Sequence, residues 1–575
     1  MWKLLKYMDE NRFQTFLAPM FKFMECVFEL FVPLIMTRII DIGIHNSDAA
    51  YIFRMCMILI LLALVGFLCT TMAQYFAAKA SALFVRKVKH AAFDHVQKLS
   101  YSQLDQLGTS TLITRLTSDM NQIQTGVNLA LRLRLRSPII VFGAMIMAFT
   151  IDVQEALIFA VAIPVLGAVV AGVMMTTLPL FSKVQSMLDT VLRKTRENLI
   201  GSRVIRAFNL EEREIEAYDR ESENLRKLNI FVGRISAAMN PVTYAIINIA
   251  IVILFYLGSV KVDRGNLTSG QVVALYNYMS QILIELIKLA SLIITISKAI
   301  TCGNRVEQIL EIEPAIVSNG CSFEGSSIYA VEFRNVTLNY HINSEASLSD
   351  ISFRVPKGYT VGIIGSTGSG KSSVVNLIPR FYEATKGTVE VNGCDVRDVD
   401  VEQLRQLIAT VPQKAVLFRG TVRSNLLWGN ENATDEELTE ALKLSQSYEF
   451  IMAKEGLDTP VEQGGRNFSG GQRQRLTIAR ALVRKPQILI LDDSASALDY
   501  LTETRLRQAV KDLPYQHTTF IVSQRTSSIR HADMILVLDD GMLVGKGTHE
   551  ELLNSCEVYK EIYYSQYRRE GSDHE

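Results

Sequence analysis

Gly365-Ser366-Thr367-Gly368-Ser369-Gly370-Lys371-Ser372 stands in the second half of the chain. It has the form G-x-x-x-x-G-K-[ST], with the apolar run 361–364 leading in and a helical pattern from Ser373 leading out. A strand–loop–helix of this composition cradles phosphate. The glycines let backbone N–H groups approach phosphate oxygens, and the helix N-terminus adds favourable partial charge. Lys371 is expected to reach the outer phosphates and Ser372 to ligate a divalent cation. Downstream, the apolar run 488–491 ends in Asp492 and Asp493. Continuous apolar runs of this length suit strands buried on both faces. Asp492 suits a Mg²⁺ partner acting through the metal's water shell, and Asp493 stands where a base or water-positioning group belongs. Strand and helix patterns alternate through this half, which predicts a parallel or mixed sheet with helices around it.

The chain ahead of residue 300 reads differently. The 575 residues are 49% hydrophobic with mean hydropathy +0.18, too apolar for a soluble enzyme of this size. Segments 55–78, 156–182 and 235–260 are uncharged and long enough to span a bilayer. Three further spans are read at 16–40, at 137–151 extended back through Arg136, and at 270–296, each carrying charge within or at its edge. Six spans result. The segment 79–136 holds nine Lys/Arg against three Asp, and 183–234 holds eleven Lys/Arg, whereas 41–53 and 152–155 hold none. Positive residues stay on the cytoplasmic side, so the N-terminus and both long polar segments are placed inside. These segments have helical periodicity and read as extensions of the spans.

Within the spans, Glu25 and Glu29 lie one turn apart, and Glu285 and Lys288 three residues apart. The second two are read as a pair on one helix, and Arg132 and Arg136 as snorkelling anchors. Glu25 and Glu29 are left between lining a cavity and sitting near the headgroups. Net charge is zero, and nothing indicates a nucleic-acid partner. The seven cysteines show no metal-ligand or redox spacing. The division expected is 1–310 membrane domain, 311–328 linker, 329–567 nucleotide-binding domain and 568–575 charged tail.

Further motifs stand in order around the first. Asn467-Phe468-Ser469-Gly470-Gly471-Gln472 lies just upstream of the acidic strand and resembles the signature of ATP-binding cassette (ABC) proteins. Tyr340 is placed like that family's adenine-stacking aromatic. Gln413 resembles the glutamine linking the Mg²⁺ site to the membrane domain, and Ser496-Ala-Leu-Asp499 the loop that crosses the dimer interface. Gln524 stands where the family has its switch histidine. Thr114-Arg115 with Asp119, and Asn198 with 203–208, resemble the flanks of the two cytoplasmic coupling turns of the exporter type. The resemblance covers nearly the whole chain. It implies a bundle of six transmembrane helices with long cytoplasmic extensions, fused to an α/β P-loop ATPase domain of ABC type. It further implies ATP with Mg²⁺ as cofactors, Ser372, Gln413 and Asp492 at the metal, and a nucleotide held by Tyr340, residues 365–373 including Ser373, and residues 468–472 of a second cassette.

Two positions depart from the family. Its usual Glu is Asp493, about 1.5 Å shorter in reach, and a misplacement of about 1 Å can cost on the order of 100-fold in rate. Its switch histidine is Gln524, an amide that can hydrogen-bond but carries no charge. Phe468 replaces the usual Leu in an otherwise intact signature. Asp493, Gln524 and Gln413 are the expected catalytic set, in a weakened site. The pattern matches the degenerate-site subunit of heterodimeric multidrug exporters, with a second half-transporter as partner, a lipophilic or amphipathic cargo, and a multi-pass place in the plasma membrane. Lipid or peptide export, chelate import on the same fold, a nucleotide-gated regulatory role and a homodimer remain open.

Overall fold

A computed structural model describes residues 1–316, 327–340 and 345–567. Most of the expected linker and the whole of the expected tail lie outside the described residues. The chain forms two compact units. One comprises 1–97 and 108–313, the other 98–107 and 314–575.

The first unit is helical. Its long helices are Arg12–Arg38, Ala49–Lys98, Val153–Ile200, Glu211–Asp263 and Ser269–Leu310, together with the helical run Thr109–Ile151. At 1.5 Å per residue, the helices of about fifty residues far exceed a hydrocarbon core of roughly 30 Å, as expected for spans with polar extensions. Five of the six are long and apolar enough to cross a membrane. The first, Arg12–Arg38, carries Lys22, Glu25 and Glu29 within its apolar stretch. Its charges are neutralised inside the bundle. Arg136 places Nη1 2.6 Å from Glu25, Nη2 2.9 Å from Glu29 and Nε 3.1 Å from Glu285. Lys22 lies 2.6 Å from Glu25, Lys288 3.0 Å from Glu285, and the Ser137 hydroxyl donates to Glu285 at 3.1 Å.

The Glu285–Lys288 pairing is as expected, but Arg136 is not a snorkelling anchor. Its side chain is 11% exposed and joins three helices through three carboxylates. Sequence spacing could not show this, because the partners lie more than a hundred residues away. Uncompensated charge in a low-dielectric bundle is costly, and here three cations meet three carboxylates.

Local sequence sets the helix boundaries. Asp152 caps Val153–Ile200 by accepting from the Glu155 amide at 2.8 Å, and Lys261 from the next long helix reaches the same carboxylate at 2.6 Å. Thr268 and Gln271 form a capping box at the start of Ser269–Leu310. Asp41 accepts from Gly270 N at 2.8 Å and from the Thr268 hydroxyl. The turn between Val153–Ile200 and Glu211–Asp263 holds a single short helix, Ser202–Ala207, followed by Asn209 at φ +51°. Asp119 is tied to Arg305 by contacts of 2.5 and 2.8 Å.

The second unit is α/β. Its strands are β1 Tyr329–Leu338, β2 Leu348–Pro356, β3 Thr360–Gly365, β4 Lys386–Val391, β5 Cys394–Asp395, β6 Ile408–Val411, β7 Gly420–Thr421, β8 Pro460–Val461, β9 Ile488–Asp492, β10 Thr518–Val522, β11 Met534–Asp539 and β12 Met542–Gly547. A six-stranded sheet has the order β12-β11-β3-β10-β9-β6, parallel except for β12. An antiparallel sheet has the order β2-β1-β4-β5, and β7 pairs with β8. The apolar runs at 361–364 and 488–491 become β3 and β9, buried along their length. Their shared neighbour β10 places three C-terminal strand ends side by side, where open α/β sheets bind ligands.

Candidate nucleotide site

The cleft at those strand ends has a volume of about 340 Å³. Loop residues Thr367, Gly368, Gly370, Lys371, Ser372 and Ser373 line it, together with Tyr340, Gln413, Asp492, Asp493 and Gln524. Gly365, Ser366 and Ser369 complete the turn beneath. A Cβ on Gly365 would lie 2.0 Å from the Leu538 carbonyl oxygen, and Gly370 sits at φ +90°. Both positions therefore require glycine. Lys371 is 9% exposed and folds over the loop. Its ammonium donates to the carbonyls of Gly365 at 3.0 Å and Ser366 at 2.5 Å. Burial pushes its pKa below the ordinary lysine value, against the pull of Asp493 and Asp492.

The Ser372 hydroxyl donates to Asp492 at 2.9 Å, which brings two predicted metal-binding groups together across the cleft. Burial raises the Asp492 pKa from the ordinary aspartate value, opposed by that hydrogen bond and assisted by Asp493. Gln413 Nε2 donates to Asp493 at 3.2 Å. Asp493 turns the chain at φ +46°, a left-handed conformation that Asp tolerates better than most residues. Its amide is fixed by the Val522 carbonyl at 3.0 Å. Gln524 is exposed, and its backbone carbonyl accepts from Gln566 at 2.7 Å.

The hydroxyl of Tyr340 lies 2.8 Å from that of Ser373, and its ring meets Tyr382 edge-on with centroids 4.9 Å apart. Tyr382 donates to Asp105 at 2.8 Å, and Tyr101 packs on Phe381 at 4.8 Å. Segment 98–107, continuous in the chain with two long helices of the first unit, thus packs one aromatic layer away from Tyr340. Sequence reading missed this layer. The aromatic doublet Phe381-Tyr382 carries no motif, and its partners are nearly 280 residues distant. It also missed Ala346, Ser347, Asp540 and Gly541 in the cleft wall. The dipeptide Asp540-Gly541, a hairpin-turn signal that falls between β11 and β12, was the available signal for the last two.

The signature residues do not line this cleft. Ser469 caps the helix Gly470–Val483 in a capping box with Gln472, and a Cβ at Gly470 would meet nothing within 4 Å. The face is therefore open. Phe468 behaves otherwise than expected of a nucleotide ligand. Its ring is 3% exposed, packs edge-on against Phe450 and lies under the Lys454 ammonium, so only its backbone is left for a ligand. Among the described residues no group of three or more His, Cys, Asp or Glu could hold a metal.

Comparison with known proteins agrees with this architecture. The family profile of the ABC transporter transmembrane region matches residues 15–286, and the ABC transporter profile matches 348–496. The chain is 35% identical over 574 residues to the uncharacterized ABC transporter ATP-binding protein YfiB of Bacillus subtilis (strain 168), covering 100% of both chains. It is 35% identical to its counterpart Rv1273c of Mycobacterium tuberculosis (strain ATCC 25618 / H37Rv), covering 93% of each. It is 28% identical to the ATP-dependent lipid A-core flippase of Vibrio vulnificus (strain YJ016), covering 94% of this chain and 93% of that one. The fold matches a bacterial Atm1-family ABC exporter with ATP bound, with a TM-score of 0.83 at 23% identity, over 97% of this chain and 99% of that one. A membrane domain fused to an ATPase domain on this pattern makes a multi-pass membrane transporter that couples ATP hydrolysis to transport. The chain belongs to the ABC transporter family.

Proposed function

We propose that this chain is the slow-hydrolysing half of a heterodimeric exporter of lipophilic or amphipathic compounds. The observation that carries the reading is the pair Asp493 and Gln524 at the cleft mouth. Asp493 is engaged by Gln413 and is one methylene short of the family's usual Glu. Gln524 offers an uncharged amide. The signature helix, capped by Ser469 with an open Gly470, is free to complete the ATP site of a partner that carries Glu and His.

In this reading, residues 365–373 cradle the phosphates and Lys371 leaves its loop carbonyls for the outer phosphate oxygens. Tyr340 stacks on the adenine. The convergence of the Ser372 hydroxyl and the Asp492 carboxylate fits a hard cation with oxygen ligands, and with Gln413 they would hold Mg²⁺. That ion would supply charge neutralisation between the phosphates. Asp493 orients the attacking water with reduced reach, so the nucleotide stays bound for longer and holds two cassettes together. A partner's signature amides would add a second set of donors to the outer phosphate.

The cargo reading has a second form. The likeness to the lipid A-core flippase over 94% of this chain favours a lipid. Affinity purification of the full chain from its native plasma membrane, with mass spectrometry of what accompanies it, tests the pairing. A second half-transporter with Glu and His at the matching positions supports it. Recovery of this chain alone as an active homodimer refutes it. Movement of a fluorescent phospholipid between leaflets of reconstituted vesicles, against uptake of a cationic dye, decides the cargo.

A further inference from the structure

Behind β9, which ends in Asp492, and β10, which ends two residues before Gln524, lies a second cleft, of about 310 Å³, set between the sheet and the helix Tyr500–Lys511. Its size is at the small end of ligand pockets. Leu506 and Val510 of that helix and Ile521 of β10 give it an apolar wall. Four hydroxyl residues also line it, Thr360, Ser494, Thr519 and Ser528, and two of them stand apart: Thr519 on β10 and Ser528 on the short helix Thr526–Ile529. They are 2% and 3% exposed, and neither hydroxyl has a hydrogen-bond partner among the described residues. Buried hydroxyls are normally paired, and one left alone bears its full desolvation penalty. The hydroxyls of the nucleotide cleft contrast with them, since Ser372 bonds Asp492 and Ser373 bonds Tyr340.

The rim carries Arg507, Lys511 and His531. Arg507 uses one Nη on the Ser527 carbonyl at 2.9 Å. Arg530 Nε donates to His531 Nε2 at 3.1 Å, and burial with the cations Arg507, Arg530 and Lys511 nearby pushes the His531 pKa below its ordinary value, leaving Arg507 and Lys511 as the rim's cations. The two acids of the lining are engaged. Asp533 accepts from Thr360 N at 2.8 Å, and Glu503 faces Arg525 at 3.9 Å. Val522 lines both clefts. Leu491, also in the lining, directly precedes Asp492 in the chain.

We propose that this cleft is a second ligand-binding site, for a small amphipathic anion, with its apolar body against Leu506, Val510 and Ile521 and its carboxylate between Lys511 at the rim and the unpaired hydroxyls of Thr519 and Ser528. The ligand would sit against the back of β9 and β10, whose front ends carry Asp492, Asp493 and Gln524. It would bind together with ATP and not in its place.

The test is fluorine NMR titration of the full-length chain in lipid nanodiscs with para-trifluoromethylbenzoate, with and without saturating ATP, and with the neutral para-trifluoromethylbenzyl alcohol as comparison. The expected result is saturable benzoate binding that ATP leaves unchanged, that the alcohol does not reproduce, and that weakens about tenfold in Thr519→Val and in Lys511→Glu. Thr519→Val is close in shape and removes a hydroxyl without a partner, so the ligand-free melting temperature should hold or rise. Ser528→Ala should behave alike. Absence of saturable binding, displacement by ATP, equal affinity for the alcohol, or unchanged affinity in both Thr519→Val and Lys511→Glu overturns the proposal. A lowered melting temperature in both hydroxyl variants also overturns it, because the hydroxyls would then be structurally engaged.

Discussion

Replacing Arg136 with methionine removes the centre of the charge cluster in the membrane bundle. The cluster holds Lys22, Arg136 and Lys288 against Glu25, Glu29 and Glu285, and sums to zero. Arg136→Met leaves it at minus one. Removing one partner of a buried ion pair costs about 3–5 kcal/mol. Two of the three carboxylates that Arg136 contacts are deeply buried, Glu25 at 12% and Glu285 at 3% exposure, while Glu29 is 35% exposed. Each buried carboxylate also keeps a lysine three residues away, so the low end of that range applies, about 3 kcal/mol. At roughly 2 °C per kcal/mol for a large domain, the melting temperature of the chain in nanodiscs should fall by about 6 °C. The double variant Arg136→Met with Glu29→Gln leaves two intact pairs, Lys22–Glu25 and Lys288–Glu285, and restores neutrality. It should recover most of the loss. An Arg136→Met variant that melts with the parent, or a double variant less stable than the single, would refute the idea that charge balance governs this cluster.

Three further outcomes are expected. Tyr101→Ala removes the ring on Phe381 beside the Tyr382–Asp105 bond and should abolish cargo stimulation of ATPase with basal hydrolysis largely kept; equal loss of both would show a folding defect instead. Because burial raises the Asp492 pKa, its folded form takes up a proton at a pH where the unfolded form is still ionised. Stability should therefore decline as pH rises through the window between the ordinary aspartate value and the raised one, and Mn²⁺ affinity of the ATP-bound chain should drop as pH falls through the same window. Asp492→Asn should flatten both profiles. Arg305→Ala leaves Asp119, itself 3% exposed, without its bidentate partner, and should cost about 3 kcal/mol in chemical denaturation; an unchanged midpoint would show that the pair is dispensable.

The phosphate loop, its two strands and the long spans were legible in the sequence because each depends on local pattern. Gly365 and Gly370 are glycines for reasons of close approach and positive φ, and apolar runs of strand or span length allow few other readings. Asp492 and Ser372 were assigned together by motif order, and the 2.9 Å bond between them puts a distance on that order. What escaped was long-range and side-chain specific. Arg136 looked like a helix-end anchor because its neighbours in sequence are apolar, and only packing supplies its carboxylates. Segment 98–107 follows directly on a long helix, and nothing local says that Tyr101 belongs with Phe381. Phe468 sat in a ligand-binding motif, yet its ring packs into the core. The unpaired hydroxyls of Thr519 and Ser528 are ordinary residues by composition, and their isolation appears only in three dimensions.

In the proposed reading, this chain's own ATP half-site is slow because of Asp493 and Gln524. Single-turnover hydrolysis of ATP by the purified chain, set beside Asp493→Glu with Gln524→His, tests it most directly. Slow turnover is expected in the parent and a rise on the order of 100-fold in the double variant, with ATP affinity little changed. Brisk hydrolysis by the parent, or no gain in the double variant, would contradict it.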